Sequence, residues 1–444
     1  MSPYSLHILT HEVEDVLTES VNMISRYMYV IPTVILPFLG ILFCLLKIKS
    51  SKSVLGTVIL GAIFYCCYTR YYNGERPGLN TNELRFTIGN SIKAIIGYGI
   101  LETHTFESSE YIPYEITDIY TGDDINEPIT IVYIMGESCN YKHMSLFGYE
   151  RETTPHLSEL AKMENFYFTN GISSGVATFA ASKFMLNAIR EPDNIKQSAK
   201  NSTNLFKLAK QHGFKTFYLS SQTSHLLSSI SGVNYIDVAV TRGLHFTDSR
   251  KLKDEHLFDL LAKQKFGKRN FIVLHQTCIH APYTTTFSKN FTDRSRFTGS
   301  KNKLIDEYDN AMFYNDFLIS KMFNTFNKEQ NGKFYIIFAS DHNEALGENG
   351  RFGHTQLFPE IANIPIIVQS NDLHFIDNIK QIFLPNHYEI AKSIIKILGY
   401  KFNNPNEHKN LFYICGVDPS GKCGYIPYVK NQQKRFVKYG KASD

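Results

Sequence analysis

Short apolar runs alternating with longer helix-period segments from residue 128 onward predict an α/β sandwich, a mixed, mostly parallel sheet between helices, with an N-terminal transmembrane helical hairpin. Three observations carry this reading. The runs 129–135, 214–219, 235–240, 270–276, 334–339 and 364–369 have strand length, and the segments 155–163, 202–212, 254–264, 302–326 and 388–398 between them have helical periodicity, with Thr154, Ser202 and Asn302 as caps. Two of the strands run out into Gly136-Glu137-Ser138 and Asp341-His342, at the rim where open α/β sheets hold ligands. Residues 27–46 form a charge-free stretch of twenty, the length that crosses a bilayer core.

Taken in order, residues 1–26 are acidic through Glu12, Glu14, Asp15 and Glu19, whereas the link between the span 27–46 and a second apolar run at 54–68 carries Lys47, Lys49 and Lys52. The positive-inside rule then places the link in the cytoplasm and both ends of the hairpin 27–69 outside. A cleaved signal peptide is disfavoured by the length of the run, its distance from Met1 and the lack of a small-residue cleavage site. Residues 70–127 read as a juxtamembrane connector and 128–444 as the exported catalytic domain. A formal net charge of +4 without a long basic block excludes nucleic acid as an expected partner. Of the seven cysteines, Cys415 and Cys423 flank a turn-rich Asp418-Pro419-Ser420-Gly421 and suit either a disulfide or two free thiols.

Glu137 should emerge at a sheet edge, as a metal ligand or as a capping or salt-bridged carboxylate. Asp341 and His342 can reach one cation if the chain turns there, and the following 343–350 supplies a polar, glycine-containing loop with His354 at its end. Of His275 and His280, the second lies past the strand end and is the better candidate. The loop 171–182 offers Ser173, Ser174, Thr178 and Ser182 as hydroxyl nucleophiles, which need a metal or base to act at neutral pH. There is no Gly-x-Ser-x-Gly elbow, Walker loop or His-Glu-x-x-His, which disfavours a serine hydrolase, a P-loop kinase and a zincin.

Ile134-Met135-Gly136-Glu137-Ser138, Met144 to Pro155, Tyr308-Asp309-Asn310 and Ser340 to Gly350 with His354 together resemble the bacterial phosphoethanolamine transferases of the alkaline phosphatase and sulfatase superfamily, over about 128–398. The resemblance implies an alkaline-phosphatase-like sandwich and a zinc ion on Glu137, Asp341, His342 and the nucleophile Thr178, with manganese chemically acceptable to the same donors. It also implies that His280 and His354 contact the transferred phosphoryl group or a second metal. The donor would be phosphatidylethanolamine and the acceptor a hydroxyl of lipopolysaccharide, on lipid A or a core sugar, or of another surface glycan. The enzyme would sit in the bacterial inner membrane with its catalytic domain in the periplasm.

Three features depart from the pattern: two spans where the family usually carries five, Ser174 and Phe184 where the lipid A branch has cysteines, and Cys139-Asn140-Tyr141 after the Gly-Glu-Ser motif. The alternatives are a glycerol-phosphate transferase, a phosphatase or a sulfatase of the same superfamily, or a catalytically inactive membrane-tethered partner. The sulfatase is disfavoured by the missing Cys/Ser-x-Pro-x-Arg segment.

Overall fold

The computed structural model describes residues 111–120 and, apart from short internal segments of which 243–252 is the longest, residues 127–438. All belong to the unit Phe106–Asp444. The hairpin expected at 27–69, the segment 1–26, residues 70–110 and 121–126 of the connector, and Cys423 lie outside the described residues. Among the described residues no helix is long and apolar enough to cross a membrane.

In chain order the elements begin with β1 (Glu115–Asp118), β2 (Ile129–Gly136), α1 (Pro155–Leu160), β3 (Phe166–Ile172), α2 (Thr178–Asn187) and α3 (Leu205–Gln211). There follow β4 (Lys215–Thr223), β5 (Val238–Arg242), α4 (His256–Ala262), β6 (Arg269–His275), α5 (Lys303–Lys328) and β7 (Lys333–Ser340). The chain continues through β8 (Ala345–Leu346), β9 (Phe352–Gly353), β10 (Asn363–Ser370), α6 (Leu373–Lys380), α7 (His387–Ile397), β11 (Tyr400–Asn403), β12 (Leu411–Cys415), β13 (Tyr425–Lys430) and β14 (Phe436–Lys438).

A seven-stranded sheet runs in the order β3-β10-β7-β2-β6-β4-β5. The strands β7, β2, β6, β4 and β5 pair in parallel, and β10 is antiparallel to both of its neighbours. The central strand β2 is buried over nearly its whole length, as a parallel strand covered on both faces must be. Its side chains alternate between two cores. Val132 and Ile134 pack with Leu157 of α1, Leu257 of α4 and Met312 of α5, while Ile131, Tyr133 and Met135 pack with Met185 of α2, Phe206 of α3, Ile376 of α6 and Ile394 of α7.

All six expected strands are present, with β5 displaced to 238–242 because Val233–Tyr235 turns in a short 3₁₀ segment. β3 was not among the expected strands. It is a half-buried edge strand in which Thr169, Asn170 and Gly171 interrupt the apolar run, so it lacks the continuous signature of the central strands. The stretch expected as a loop at 171–182 is a loop only as far as Ala177. From Thr178 it is helical, because Ala180, Ala181, Phe184 and Met185 find burial there that no local propensity announces.

Two caps need correction. Thr154 Oγ1 accepts from Leu146 N, at 2.8 Å, and α1 is capped instead from α5, where the Asp316 carboxylate accepts from His156 N and Leu157 N at 2.9 Å. In α3 the cap is Asn204, accepting from Lys207 N at 3.1 Å, rather than Ser202. Asn302 does accept from Leu304 N, at 3.0 Å, ahead of α5.

Gly136, which ends β2, touches the core so closely that a Cβ would lie 2.5 Å from Phe338 Cζ. Phe338 is fully buried and cannot swing away. Gly136→Ala is therefore expected to destabilise the domain by about 1–3 kcal/mol, the cost of overpacking a tight core. Denaturant titration of the two proteins checks this, and an unchanged midpoint would contradict the packing described.

Candidate metal centre

Strand pairing brings the two sequence signals together. Gly136 of β2 lies opposite Ser340 of β7 in parallel register, so Glu137 and Asp341 leave adjacent strands at the same level. Asp341 N donates back to Gly136 O at 2.9 Å, locking that register beyond the last pair. Both carboxylates and the His342 ring are buried. One ligand atom from each of Glu137, Asp341 and His342 lies within 4.8 Å of the others.

The hydrogen bonds dictate which atoms face one another. Asp341 Oδ1 accepts from Ser138 N at 3.0 Å and His342 N at 2.7 Å, whereas Oδ2 is buried with no hydrogen-bond partner. Glu137 Oε1 accepts from Ser138 Oγ at 2.7 Å, and Oε2 from Gln222 Nε2 at 2.9 Å and Thr178 Oγ1 at 3.0 Å. His342 Nδ1 lies 3.1 Å from Asn343 O, a carbonyl that only accepts, so the ring proton belongs on Nδ1 and Nε2 carries a lone pair. That Nε2 is 3.2 Å from Asp341 Oδ2, 3.5 Å from Glu137 Oε1 and 3.3 Å from Thr178 Oγ1.

Lone pairs converge here among buried side chains. Burial, then the Asp341 charge, push the Glu137 carboxyl up to about 8, burial raises Asp341 as well, and burial holds His342 well below the usual imidazole range. Such a set is unfavourable by itself and fits a cation held among the donors. Two carboxylates, a neutral imidazole and a hydroxyl are a chemically suitable set for zinc. The hydrogen-bond partners of Glu137 given above are Ser138, Gln222 and Thr178, and its contact with the start of α2 runs through the Thr178 side chain.

Thr178 begins α2 and its hydroxyl enters the cluster, which distinguishes it from the other hydroxyls of the loop. Ser173 Oγ is engaged with Asp341 O and with Gly175 O, Ser182 lies a turn further along the helix, and Ser174 contributes its backbone to neighbouring elements. His280 and His354 both lie beside the cluster: the His354 ring stacks on His342 with centroids 4.2 Å apart and meets His280 edge-on at 5.7 Å. His275 is set back, fully buried, with Tyr218 Oη 2.8 Å from its Nδ1, and burial pushes it down to about 4.

Several contributors carry no obvious sequence signal. Glu344 lies within the Asp-His-Asn-Glu segment, yet only the structure shows its carboxylate 2.7 Å from His354 Nδ1 and accepting from Tyr283 Oη at 3.1 Å. Burial alone would lower His354, but the charge and hydrogen bond of Glu344 outweigh it and hold the imidazole at about 9. Gln222 stands at the end of β4, where the strand-end rule could have found it. Ser138 takes φ 55°, a left-handed conformation that costs a non-glycine residue about 1 kcal/mol and turns its N–H towards Asp341.

A sulfatase family model matches residues 129–381, more than half of the chain. The chain is 27% identical over 315 residues to the Kdo(2)-lipid A phosphoethanolamine 7''-transferase of Salmonella typhimurium, an alignment covering 65% of this chain and 54% of that protein. The chain thus spans about half the length of the curated relatives it matches. Among solved structures, the periplasmic domain of EptC from Escherichia coli, in complex with Zn, superposes with a TM-score of 0.54 at 21% identity, covering 71% of this chain and 96% of that one. The integral membrane lipooligosaccharide phosphoethanolamine transferase A of Neisseria meningitidis gives a TM-score of 0.54 at 19% identity, over 78% of this chain and 67% of that one. At these identities the structural likeness speaks for the fold.

A cation that relieves the carboxylate repulsion must stabilise the folded state. Zinc at a hundredfold excess over its dissociation constant is expected to raise unfolding free energy by about 2.7 kcal/mol, and a chelator to reverse this. Calorimetric zinc titration should show one tight site in the unsubstituted chain and none in Glu137→Ala or Asp341→Ala. Zinc binding undiminished in either variant would rule out the donor set.

Proposed function

Because the chain belongs to the sulfatase family, with phosphoethanolamine transferases among its relatives, we propose that it transfers phosphoethanolamine from phosphatidylethanolamine to a hydroxyl of lipopolysaccharide or a related surface glycan. The observation that carries this reading is the Thr178 hydroxyl inside the Glu137, Asp341 and His342 cluster, donating to Glu137 Oε2 at 3.0 Å. Family membership does not make it a sulfatase, because the segment that yields formylglycine is missing and a threonine stands at the centre.

Glu137, Asp341, His342 and Thr178 would hold the zinc. When bound, the ion supplies positive charge that lowers the pKa of the threonine hydroxyl and neutralises phosphoryl oxygens. Thr178 Oγ1 then attacks phosphorus. A Thr178 O–P bond forms, the P–O bond to glycerol breaks, and diacylglycerol leaves with a proton. In the second half the acceptor oxygen attacks phosphorus, the Thr178 O–P bond breaks, and the acceptor's proton passes to Thr178 Oγ1, which regenerates the hydroxyl.

The remaining residues orient and neutralise. Gln222 Nε2 bridges Glu137 Oε2 and Gln276 O, at 2.9 and 2.8 Å, and keeps the carboxylate from rotating. His354, protonated at neutral pH through Glu344 and with Nδ1 committed to it, offers Nε2 to a phosphoryl oxygen or to the departing glycerol oxygen. His280 Nδ1 is 2.7 Å from Ala281 O, which fixes the ring beside His354. Phosphoryl transfer needs little else from a protein than such positioning and charge. The hairpin 27–69 would anchor the domain in the inner membrane and keep it, in the periplasm, within reach of a donor confined to the bilayer.

Incubation with a fluorescent phosphatidylethanolamine analogue is expected to release diacylglycerol and leave a phosphoethanolamine adduct on Thr178. Thr178→Ala should retain zinc and lose the adduct, with turnover down by at least about 10³-fold, as for loss of a covalent nucleophile. Adduct on the Thr178→Ala protein would refute the nucleophile. Turnover of a phosphatidylglycerol analogue in place of the ethanolamine lipid would move the activity to glycerol-phosphate transfer, and binding without turnover of either would indicate an inert partner.

A further inference from the structure

We propose that His387 is a positioning residue for the transfer: its imidazole ties the loop that carries Thr178 to the end of the strand that carries Asp341 and His342, and so sets the separation between nucleophile and ligands. This rests on the reading of Thr178 as the nucleophile. His387 is the first residue of α7, fully buried, and none of the sequence motifs includes it. One ring nitrogen, Nδ1, accepts from Ser174 N at 3.2 Å. The other, Nε2, lies 2.8 Å from Ser340 O, the residue before Asp341.

The two partners leave one protonation state. A backbone N–H only donates and a carbonyl only accepts, so Nδ1 must carry the lone pair and Nε2 the proton. Burial pushes the group down to about 4, in keeping with that neutral form. No other side chain type except a primary amide offers one acceptor and one donor at this spacing.

The elements on either side make the bridge rigid. Asn386 caps α7 by accepting from Glu389 N at 3.0 Å and pairs across to Ile172 at the end of β3, while Ile172 N donates to Pro385 O at 2.9 Å. On the far side of the loop Cys415 N donates to Ser174 O at 2.9 Å, Val176 N to Cys415 O at 3.2 Å and Thr355 N to Val176 O at 2.9 Å. Ser174 is thus held by its N–H from α7 and by its carbonyl from β12. Ser173 Oγ, shared between Gly175 O and Asp341 O, is the second side chain joining this loop to the end of β7. His387 touches no reacting atom, and its effect passes through the loop.

The test uses the full chain and three variants, His387→Leu, His387→Gln and His387→Asn. In the leucine variant the rate of Thr178 labelling from the phosphatidylethanolamine analogue should fall about tenfold or more, with the donor KM and the zinc stoichiometry unchanged, and amide exchange at Ser174 should accelerate by a similar factor. Glutamine should restore both to within about threefold, because its amide can replace the acceptor and the donor together, whereas asparagine, one methylene shorter, should not. A leucine variant with native labelling and native exchange overturns the proposal, and so do glutamine and asparagine variants that behave alike. If the leucine variant does not fold, the glutamine and asparagine pair decides. An unsubstituted chain that never labels from phosphatidylethanolamine sinks the functional reading instead, and His387 is then judged on exchange at Ser174 alone.

Discussion

Glu137 and Asp341 emerge side by side from adjacent parallel strands, and the sheet denies both of them water. Their register is set by eight consecutive pairs between β2 and β7, so neither can retreat without sliding a strand through two hydrophobic cores. The Nε2 lone pair of His342 adds to the crowding. A fold that concentrates two carboxyl groups and an imidazole lone pair in its interior gives up stability when those carboxyls ionise, unless a cation is held among them. The architecture around the cluster reads as an arrangement for keeping that charge in place.

Much of the arrangement lies one layer behind the ligands. Tyr308 Oη donates to Ser138 O at 2.7 Å and accepts from Asn140 N at 2.8 Å, which pins the turn after Glu137 to α5. The next residue on that helix, Asp309, is wholly buried and receives Arg151 and Tyr149 at 2.9 Å, with His143 Nδ1 at 2.8 Å. The motif residues 144–155 and 308–310 therefore do not reach the cluster themselves. They fasten the strand-end turn to α5, and the placement of Glu137 beside Asp341 and His342 depends on that fastening.

Thr178 is delivered differently, at the start of a helix whose preceding loop has nearly every backbone group engaged. Ser173 N donates to Ala362 O at 2.7 Å, and the neighbours of Ser174 and Val176 come from α7, β12 and the segment after His354. The three-stranded sheet of β12, β13 and β14 thus serves the site although it lies apart from the central sheet. The sulfatase-family match, residues 129–381, takes in β2, β7, the loop with Ser174 and the helix with Phe184. Backbone hydrogen bonds to β12 restrain the loop.

The primary structure alone determined the central strands, because a strand covered on both faces must be apolar throughout, and it raised Glu137, Asp341 and His342 as candidates, because polar groups directly after such a run stand at the sheet rim where ligands sit. Its motifs also singled out Thr178, His280 and His354. What it could not hold was anything whose partner is remote in the chain. The edge strand β3 and the helical start at Thr178 follow from burial against other elements, Asp316 caps a helix some 160 residues away, and Gln222, Glu344 and His387 acquire roles only through the neighbours the sheet order gives them. Local pattern encodes which residues are buried, and the tertiary fold decides which buried groups meet.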